Sequence, residues 1–532
     1  MSQTIPLSAL AQYPPHLSDT RTSIDGAGSV ATVALRSIDR FDVEHRASLA
    51  DALLADMLAW SAPPAALAAA EVLREPGSYA VVTGQQAGIA TGPLYTLYKA
   101  IGAVRQAREL EARYPEHRFV AVFWIEADDH DFDEARRITV LDRAGLARGI
   151  AYDDGDASPR HVGDRMVARE ALDALESSLR ETMMETEFTS EVTDLLESAY
   201  GAAATLASGF ARSLYGILGD VPLVVLSSRN ARLKRLAADV FEREALEPAT
   251  LHAALVERTA ALADAGHATP ISPKAGALFM THDGARRSLD VTGDGYTLRE
   301  AGTRYTREQI AEIARSTPEL LSPNVALRPL VQDAVLPTAM YLGGPSEVAY
   351  LDQVAGAYAS FDLEAPQFVS RPFVLLLEPK AKRALEQAGL ALEQILREDF
   401  NVAAHVVDET VEREIDDARE RALAQMRSAI AELEALTRRI DPTLEKTLGA
   451  TGASAEKGLD DFTKRLRSAL KRRSQTEIDR LESARELVLP GGHLQERTLN
   501  ALYYINKYGL ERVRSVLGAV EVAEGVVQVV EV

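Results

Sequence analysis

Residues Val81–Lys99 read VVTGQQAGIATGPLYTLYK, an apolar strand pattern that runs into a glycine-containing turn and then into a helical pattern. The apolar run Tyr79–Thr83 predicts a buried strand, and Gly92-Pro93 predicts the start of a helix because proline is favoured at a first helical position. A second buried strand is predicted at Phe119–Ile125. This strand, helix, strand order, with almost continuous apolar strands, predicts a parallel sheet with a right-handed crossover, as in nucleotide-binding α/β units.

Further apolar strand patterns are separated by more sequence than one crossover needs. They lie at Pro222–Leu226, Ala339–Leu342 and Phe373–Leu376. Because connections in compact α/β units are short, the core is predicted to carry two insertions. The first, about residues 143–203, shows amphipathic helices, and the second, about residues 242–320, shows a helix at Ala249–Ala265 and then a hairpin that turns at Asp283-Gly284.

The C-terminal part of the chain has a different pattern, which begins at Asp408. Apolar residues recur at spacings of three to four among many Glu and Arg, at Leu423, Met426, Ile430, Leu433, Ile440 and Leu444, and again at Leu459, Phe462, Leu466 and Leu470. A break is predicted between the two runs, at LGATGASAEKG (residues 448–458), so the segment is predicted to be an antiparallel helical hairpin or coiled coil. Such an arm cannot bury its apolar seam alone, and we expect it to pair with a second copy of the chain.

These patterns divide the 532 residues into a helical lead-in, three pieces of core, two insertions, a helical hairpin and a C-terminal segment that docks on the core. The predicted boundaries are 1–75 for the lead-in, 76–142, 204–241 and 321–405 for the core, 143–203 and 242–320 for the insertions, 406–489 for the hairpin, and 490–532 for the C-terminal segment.

Composition excludes several classes of function. The chain has no cysteine, which removes disulfides, thiolate nucleophiles and cysteine-ligated metals. A formal net charge of -21 makes nucleic acid an unfavourable partner. No apolar run approaches the roughly 18 residues of a membrane span, and the first residues lack the pattern of a signal peptide, so we expect a cytoplasmic protein without a membrane partner.

The turn after the first strand is the first candidate site. In a doubly wound sheet, ligands bind beyond the carboxyl ends of the strands, where helix N-termini offer free N–H groups. Gly84 and Gly88 permit unusual backbone conformations, and Gln85 and Gln86 add amide donors and acceptors. The turn is a candidate cradle for a phosphate or carboxylate. The alternative is a tight turn whose glutamines bond only the backbone.

The second candidate is FWIEADDHDFDE, residues 123–134, which places seven acidic or histidine side chains at the end of the second strand. Such a cluster could bind an amine, hold a metal or supply a general base. The alternative is an acidic helix N-terminus stabilised by the helix dipole. His130 and one or two of the aspartates are the candidates for chemistry.

The third candidate is LSPNVALRPLVQDAVLPTAMYLGGPSEVAYLDQ, residues 321–353. Here Asn324 could cap a helix that carries Arg328, and Gly343-Gly344-Pro345 follows a strand and opens a helix with Glu347 in its first turn. Arg328 could clamp a carboxylate or phosphate, and Glu347 could hold a hydroxyl or an ammonium. Alternatively, Arg328 pairs with Asp333 or Glu347. Arg371, before the Phe373–Leu376 strand, offers a further basic group.

These stretches together resemble one family. VTGQQAG, TGPLYTLYK, FWIEADDHDFDE, SPNVALRPLVQD, LPTAMYLGGPSEVAYLDQ, Arg371-Pro372 and LQERTLN resemble the cysteine-adding enzymes of bacillithiol synthesis, the BshC family of cysteine ligases, over nearly the whole chain. The resemblance implies an α/β fold with a Rossmann-like core related to class I aminoacyl-tRNA synthetases, two connecting insertions and a C-terminal coiled coil that forms a homodimer. It also implies a ligase that joins the carboxyl group of cysteine to the amine of glucosaminyl malate. A non-catalytic dimeric nucleotide-binding scaffold or sensor, or a ligase for a different amino acid, are the alternatives.

The resemblance further implies which residues form the site. The implied catalytic residues are His130, Asp129 and Arg328, with Asp129 and His130 orienting or deprotonating the amine. The implied substrate-binding residues are Thr83, Gly84, Gln85, Gln86, Thr91, Gly92, Tyr95, Asn324, Gly343, Gly344, Glu347 and Arg371. No metal ligand is implied.

Amide formation from a free carboxylate needs activation, so a nucleotide, ATP or ADP, is the expected cofactor. The HIGH and KMSKS signatures of the synthetases are absent from the sequence. A second nucleotide site is implied between the core and the coiled coil, with Lys380, Lys382, Gln495, Arg497, Asn500 and Tyr504 as candidates. The alternative is that LQER only docks the C-terminal segment on the core.

Overall fold

The strands are short and lie mostly in the first 380 residues. The computed structural model describes residues 3–7, 10, 38, 40–406, 409–523 and 525–532, so most of the predicted lead-in up to residue 39 lies outside the described residues, as does Asp408. The strands are β1 Gln3–Pro6, β2 Ser78–Gln86, β3 Arg118–Glu126, β4 Arg137–Leu141, β5 Ala147–Ala151, β6 Leu223–Ser227, β7 Leu278–His282, β8 Ala285–Thr292, β9 Gly295–Leu298, β10 Arg304–Thr306, β11 Leu321–Pro323, β12 Thr338–Gly343, β13 Gln367–Ser370, β14 Phe373–Leu377 and β15 Val526–Glu531.

Helices occupy most of the remaining described residues. They are α1 Val43–Ala59, α2 Pro64–Val72, α3 Tyr95–Arg113, α4 Phe132–Ala135, α5 Arg169–Thr182, α6 Thr189–Tyr200, α7 Leu206–Leu218, α8 Ala231–Leu236, α9 Ala238–Leu246, α10 Pro248–Asp264, α11 Arg307–Ser316, α12 Arg328–Val335, α13 Pro345–Ala355, α14 Pro379–Ala388, α15 Leu392–Ile395, α16 Val402–Val406, α17 Glu409–Ile440, α18 Glu445–Val488, α19 Gln495–Thr498, α20 Ala501–Tyr508 and α21 Leu510–Gly518. No helix of the described ranges combines the length and the apolarity that crossing a membrane requires.

The centre of the fold is a five-stranded sheet in the order β13-β12-β2-β3-β6, and each neighbouring pair is parallel. β2 and β3 pair along their whole length, from Ser78 opposite Arg118 to Gln86 opposite Glu126. Both strands are almost entirely buried, as their continuous apolar pattern predicted. The predicted parallel α/β core is confirmed. Because the strands are parallel, their carboxyl ends meet at one edge, and the candidate stretches follow those ends.

The strand at Phe373–Leu376, which we assigned to the third piece of the core, does not continue this sheet. β13 takes the edge position, and β14 instead joins a separate sheet in the order β1-β15-β14. The chain changes sheet at Arg371-Pro372, between the two strands. Pro372 has no N–H to donate, so a strand ladder cannot continue through it.

The insertions contain the predicted elements and further hairpins that the sequence did not signal, among them β8 with β9 and β9 with β10 in the second insertion. The predicted hairpin is confirmed, with β7 and β8 antiparallel and His282 opposite Ala285, so the turn is Asp283-Gly284. The predicted helix at Ala249–Ala265 is α10. In the first insertion, α5 and α6 are amphipathic helices, but the hairpin of β4 and β5 precedes them. β5 is largely exposed, so it lacks the apolar alternation by which strands are recognised.

The chain forms two compact units, residues 1–379 with 487–532, and residues 380–486. In the second unit, α17 and α18 run antiparallel, as the ion pairs Arg419–Asp460 at 2.6 Å and Arg427–Glu456 at 2.8 Å show. The predicted helical hairpin is confirmed. Its predicted break at residues 448–458 is wrong, because α18 passes through that stretch without interruption.

The hairpin turns instead at Asp441–Leu444, where proline follows a capping aspartate. The Asp441 side chain accepts a hydrogen bond from the Thr443 N–H. One glycine of the predicted break, Gly452, serves packing. A Cβ on Gly452 would lie 2.7 Å from Cδ1 of Ile430 on the opposite helix, so a residue without a side chain allows the two helices to approach.

Candidate active site at the carboxyl edge of the sheet

A cavity of about 310 Å³ opens at the carboxyl ends of β2, β3 and β12. Polar, charged and aromatic side chains form most of its wall. The wall consists of Gly84, Gln85, Gln86, Tyr95, Lys99, Trp124, Glu126, Asp129, Glu134, Val325, Arg328, Pro329, Gln332, Tyr341, Gly344, Pro345, Ser346, Glu347, Tyr350, Leu351, Arg371 and Arg497. The volume is that of a small-metabolite site.

The structure brings many of the predicted residues into this wall. They are Gly84, Gln85, Gln86, Tyr95, Asp129, Arg328, Gly344, Glu347 and Arg371, together with Arg497, which we had assigned to a second site. The predicted residues that do not line the cavity are Thr83, Thr91, Gly92, His130, Asn324 and Gly343.

The buried Lys99 on α3 holds the last residues of β2, which continues through Gln86, so Gly84 and Gln85 are strand residues and not part of the predicted turn. Its ammonium lies 2.8 Å from the Gly84 carbonyl oxygen, 3.1 Å from Gln85 Oε1 and 2.5 Å from Glu347 Oε2. Three acceptors match the three donors of an ammonium. Burial lowers the pKa of Lys99, and the Glu347 carboxylate opposes that shift. Sequence reasoning missed Lys99, although it ends the quoted motif TGPLYTLYK.

The backbone of the turn is occupied by internal hydrogen bonds. The N–H of Gly88 donates to Gln86 O, that of Ala90 to the Tyr200 hydroxyl, and that of Gly92 to Ile89 O. These three N–H groups already donate to acceptors within the protein. They are therefore not available to bind a phosphate, and the predicted phosphate cradle does not form from them.

Two further residues of the predicted cradle point away from the cavity. The buried Thr83 hydroxyl donates to the Leu342 carbonyl, 2.8 Å away, which ties β2 to β12. The buried Thr91 lies in the left-handed region with φ of 69°. α3 begins at Tyr95, two residues beyond the predicted Pro93, because Pro93 forms a bridge with Asn500. Thr83 thus has a structural role, and so has Gly92, whose carbonyl oxygen accepts from the buried Asn500 side chain.

The acidic stretch after β3 separates into residues with different surroundings. Glu126 lies in the cavity wall, and its Oε2 is 2.8 Å from Arg328 Nε. Burial raises the pKa of Glu126, and the facing guanidinium of Arg328 opposes the shift. Neither of the predicted partners of Arg328, Asp333 and Glu347, forms this contact.

Asp128 is buried beneath the cavity and paired on several sides. Lys234 Nζ lies 2.8 Å from its Oδ1, and Arg229 lies 3.2 Å from the same oxygen. Although burial alone would raise the pKa of Asp128, Lys234 and Arg229 lower it to about 2. These contacts make Asp128 a structural anchor of the loop.

Asp129 lies in the cavity wall and His130 beside it. Arg286, which β8 contributes from the second insertion, lies 3.8 Å from Asp129 and 3.4 Å from His130 Nδ1. It is itself held by Ser322 and Pro323. Burial raises the pKa of Asp129, but Arg286, the His130 N–H and Arg328 together outweigh this effect and the net shift is downward, so Asp129 is ionised at neutral pH. Sequence reasoning missed Arg286, because a residue so distant in sequence gives no local signal.

The third stretch folds as predicted around its caps. Asn324 Oδ1 accepts from the N–H groups of Ala326 and Leu327, and so leads the chain into α12 and Arg328. At the start of α13, Glu347 Oε2 accepts from the Gly344 N–H at 2.7 Å. Asn324 and Gly343 thus support the wall from outside it.

The LQER segment is docked firmly on the core. Arg371 makes a bidentate pair with the buried Glu496, at 2.9 and 2.6 Å. Gln495 bonds both the N–H and the carbonyl of Leu376 on β14. The next residue, Arg497, is exposed and reaches the cavity. For Gln495 and Glu496, the alternative that LQER only docks the C-terminal segment on the core therefore holds.

The other candidates for a nucleotide site have structural surroundings. Asn500 is buried and donates to the carbonyls of Ala90 and Gly92, and Tyr504 is fully buried. Lys380 donates to Ser483 within the helical unit, and Lys382 lies on α14. Among the described residues, no cluster of three carboxylates or histidines could hold a metal ion.

Comparisons with known proteins agree over nearly the whole chain. The family model "Bacillithiol biosynthesis BshC, N-terminal Rossmann-like domain" matches residues 31–372, and "Bacillithiol biosynthesis BshC, C-terminal coiled-coil domain" matches residues 374–532. Proteins named "Putative cysteine ligase BshC" are similar to this chain. The one from Chlorobaculum tepidum is 33% identical, covering 82% of this chain and 80% of its own. The one from Salinibacter ruber is 33% identical (87% and 84%), and that from Geobacillus kaustophilus is 32% identical (89% and 88%).

Proposed function

The chain belongs to the BshC family of bacillithiol biosynthesis, and from that premise we propose that it is a ligase joining the carboxyl group of L-cysteine to the amine of glucosaminyl malate. This reaction is the final step of bacillithiol synthesis. The observation that carries the proposal is the cavity, which places carboxylates and guanidinium groups around a space that suits small charged metabolites. The chain has no cysteine of its own, so the thiol of the product comes from the substrate.

The acidic part of the wall suits the attacking amine. An amine must lose a proton to act as a nucleophile, and a carboxylate near it can orient it and accept that proton. Asp129 stays ionised and orients the amine. Partial burial raises the pKa of Glu134, helped by Asp131 and Asp129, so Glu134 is the stronger base on this wall. His130, at the edge of the cavity, is placed to pass the proton on to solvent.

Arg328 suits the carboxyl group that is attacked. The negative charge on its oxygen grows during the addition of the amine, and a guanidinium held in place stabilises such charge. Glu126 holds the Arg328 guanidinium in place, with 2.8 Å between Glu126 Oε2 and Arg328 Nε. The side chain of Glu126 is 9% exposed and that of Arg328 is 23% exposed, so water screens the interaction with a developing anion less than it would at the surface.

We propose ATP as the cosubstrate, since phosphorylation or adenylation of the cysteine carboxyl group would supply the missing activation. The amides of the turn after β2 already donate to protein acceptors and do not fit a phosphate, whereas Arg328 is a cation that could face one.

The proposal is tested by incubating the purified chain with cysteine, glucosaminyl malate and ATP and measuring bacillithiol by mass spectrometry. We expect Arg328→Met to lower the rate by about a hundredfold or more, as for the loss of an oxyanion donor. The control is Arg108→Met, since Arg108 is exposed on the same sheet's flanking helix α3. Failure of the wild-type chain to form product with ATP, while a different amino acid is consumed instead, would reject cysteine as the substrate.

We also propose that the chain works as a homodimer in the cytoplasm, where the thiol of the product stays reduced. Large apolar side chains remain exposed along the helical hairpin, among them Ile440, 76% exposed, and Phe462, 62% exposed. A second copy that covers them would remove apolar surface from water.

A further inference from the structure

A chain of hydrogen bonds fixes the direction in which Tyr95 can donate. The ammonium of Lys99 carries only donors, so the Gln85 atom 3.1 Å from it must be the amide oxygen. The amide nitrogen of Gln85 therefore faces the other way and donates to the Tyr95 hydroxyl oxygen at 3.0 Å. The Tyr95 oxygen is thus used as an acceptor. Its own proton has no acceptor among the residues that the structure describes.

Three of the four cationic side chains in the cavity wall face a carboxylate, and the fourth does not. Lys99 faces Glu347, Arg328 faces Glu126, and Arg371 is bound by Glu496 from behind the wall. Arg497 has no carboxylate partner within the described part of the chain. The backbone that carries Arg497 is nevertheless held in place, because the neighbouring Gln495 and Glu496 are each only 2% exposed and bonded to the core.

The free hydroxyl proton and the free guanidinium lie on the same wall. Tyr95 is anchored at the start of α3, with the guanidinium of Arg371 over its ring at 5.2 Å. Burial raises the pKa of Tyr95 to about 12, and Arg497 is close enough to act against that shift. Tyr95 therefore keeps its proton at every physiological pH and remains a donor.

We propose that the Tyr95 hydroxyl and the Arg497 guanidinium together bind one carboxylate of the substrate, and that Lys99 and Gln85 are positioning residues that make Tyr95 a donor. The inference rests on the proposed function, because the carboxylate is assigned to the malyl group of glucosaminyl malate. A planar guanidinium matches a carboxylate by two parallel hydrogen bonds. A single uncompensated cation suits one carboxylate better than a phosphate dianion.

The test uses Gln85→Glu, which keeps the shape of the side chain but replaces its donor by an acceptor. The new carboxylate accepts from Lys99 and from Tyr95, so the Tyr95 proton is drawn away from the cavity. Titration calorimetry of the full chain measures the dissociation constants of L-malate and of glucosaminyl malate. The matched control for added charge is Gln86→Glu, since the Gln86 amide bonds Asp131 O and not Tyr95.

We expect Gln85→Glu and Tyr95→Phe each to weaken binding of both ligands by about tenfold to a hundredfold, the effect of one lost hydrogen bond to a charged group. In the Tyr95→Phe background, Gln85→Glu is expected to add no more than Gln86→Glu adds. Arg497→Met is expected to weaken binding at least as much. An additive effect of Gln85→Glu and Tyr95→Phe, or an unchanged affinity in either variant, would overturn the inference.

The binding experiments can fail or succeed independently of the test of the ligase activity. A chain that binds malate with this pattern and yet forms no bacillithiol keeps the carboxylate subsite and loses the ligase proposal. A chain that forms bacillithiol while Tyr95→Phe binds glucosaminyl malate normally keeps the ligase and loses the subsite. Inorganic phosphate is titrated in parallel, and competition by phosphate that is stronger than by malate would reject the carboxylate assignment.

Discussion

His161 shows how a single buried residue can make the stability of the protein depend on pH. It is 2% exposed, and its ring nitrogens lie 2.8 Å from the Asp128 carbonyl oxygen and 2.8 Å from Thr281 Oγ1. Burial, and then the nearby Arg229, lower the pKa of His161 to about 4. The ring is therefore neutral in the folded protein at a pH where it is already protonated in the unfolded chain.

The sign of the effect follows from this difference. Between pH 6.5 and 4 the unfolded chain binds the extra proton, so His161 makes folding less favourable as the pH falls through that window. We expect a loss of about 2 kcal/mol at pH 5 relative to pH 7 from this residue. His161→Asn should remove that part of the pH dependence in denaturant unfolding at the two pH values. His252→Gln, on the surface of α10, should leave it unchanged, and an unaltered slope in His161→Asn would contradict the assignment.

The pair of Arg371 and Glu496 predicts a second effect at the residue scale. Removing one partner of a buried ion pair leaves the other charge without compensation. Glu496→Gln is expected to lower the free energy of unfolding by about 3 kcal/mol, measured by urea denaturation. The matched control is Glu511→Gln, which breaks the exposed pair of Glu511 with Arg514 and should change stability little. Equal effects of the two substitutions would show that the Arg371 pair is not stabilising.

Single residues were predictable where their role is local. Glu347 in the first turn of α13 and the turn at Asp283-Gly284 follow from short-range patterns, and the structure confirms them. Asn324 caps the turn that leads into α12, whose own N-cap position, Leu327, has no side-chain hydrogen bond. Lys99 and Arg286 were not predicted as site residues. Gly84 and Gln85, two partners of Lys99, lie in the same quoted stretch, but Glu347 and the partners of Arg286 are far away in sequence, and no spacing rule connects such residues.

At the scale of elements, a short turn of the first insertion supports the acidic loop. The N–H of Val162 donates to Asp129 O at 2.7 Å, and that of Gly163 donates to Ala127 O at 3.0 Å. A Cβ on Gly163 would lie 2.2 Å from the Cβ of Ala127, closer than atoms can approach. The insertion thus holds the start of the loop that carries Asp129.

Gly163→Ala should therefore push this turn away from the loop. We expect a loss of stability of about 1 to 3 kcal/mol, as for overpacking in a core, together with a lower rate of product formation because Asp129 moves. Gly149→Ala is the control in the same insertion, since nothing lies within 4 Å of its added Cβ. Thermal unfolding measures the first effect. A Gly163→Ala variant as stable as Gly149→Ala would show that the turn yields without cost.

Helices and strands were predictable where their burial requires a recognisable pattern of apolar residues. The buried strands β2, β3, β6 and β12 are continuous apolar runs, and the amphipathic helices of the insertions show their period. The sheet to which β14 belongs was not predictable, because an apolar run identifies a buried strand and not its neighbours. The continuity of α18 was missed because glycine signals both a break and a close approach of helices.

At the scale of the whole molecule, the helical hairpin predicts self-association. Substituting Ile440 and Phe462 together by glutamate places charges on the exposed apolar seam, and we expect the dimer to become a monomer in sedimentation velocity experiments. The control is Ser428→Glu on the exposed part of α17, which should leave the dimer intact. A wild-type chain that sediments as a monomer at micromolar concentration would reject the dimer proposal.

The order of the β1-β15-β14 sheet has a consequence for synthesis on the ribosome. Its middle strand, β15, is translated long after β1 and β14. These two strands therefore lack the strand that pairs with both of them while the helical unit is being synthesised. Arg497 also reaches the nascent domain only after that unit has been made. An incomplete translation product that stops within the coiled coil therefore lacks both the strand that joins this sheet and one cation of the cavity, and it cannot act as a working copy of the enzyme.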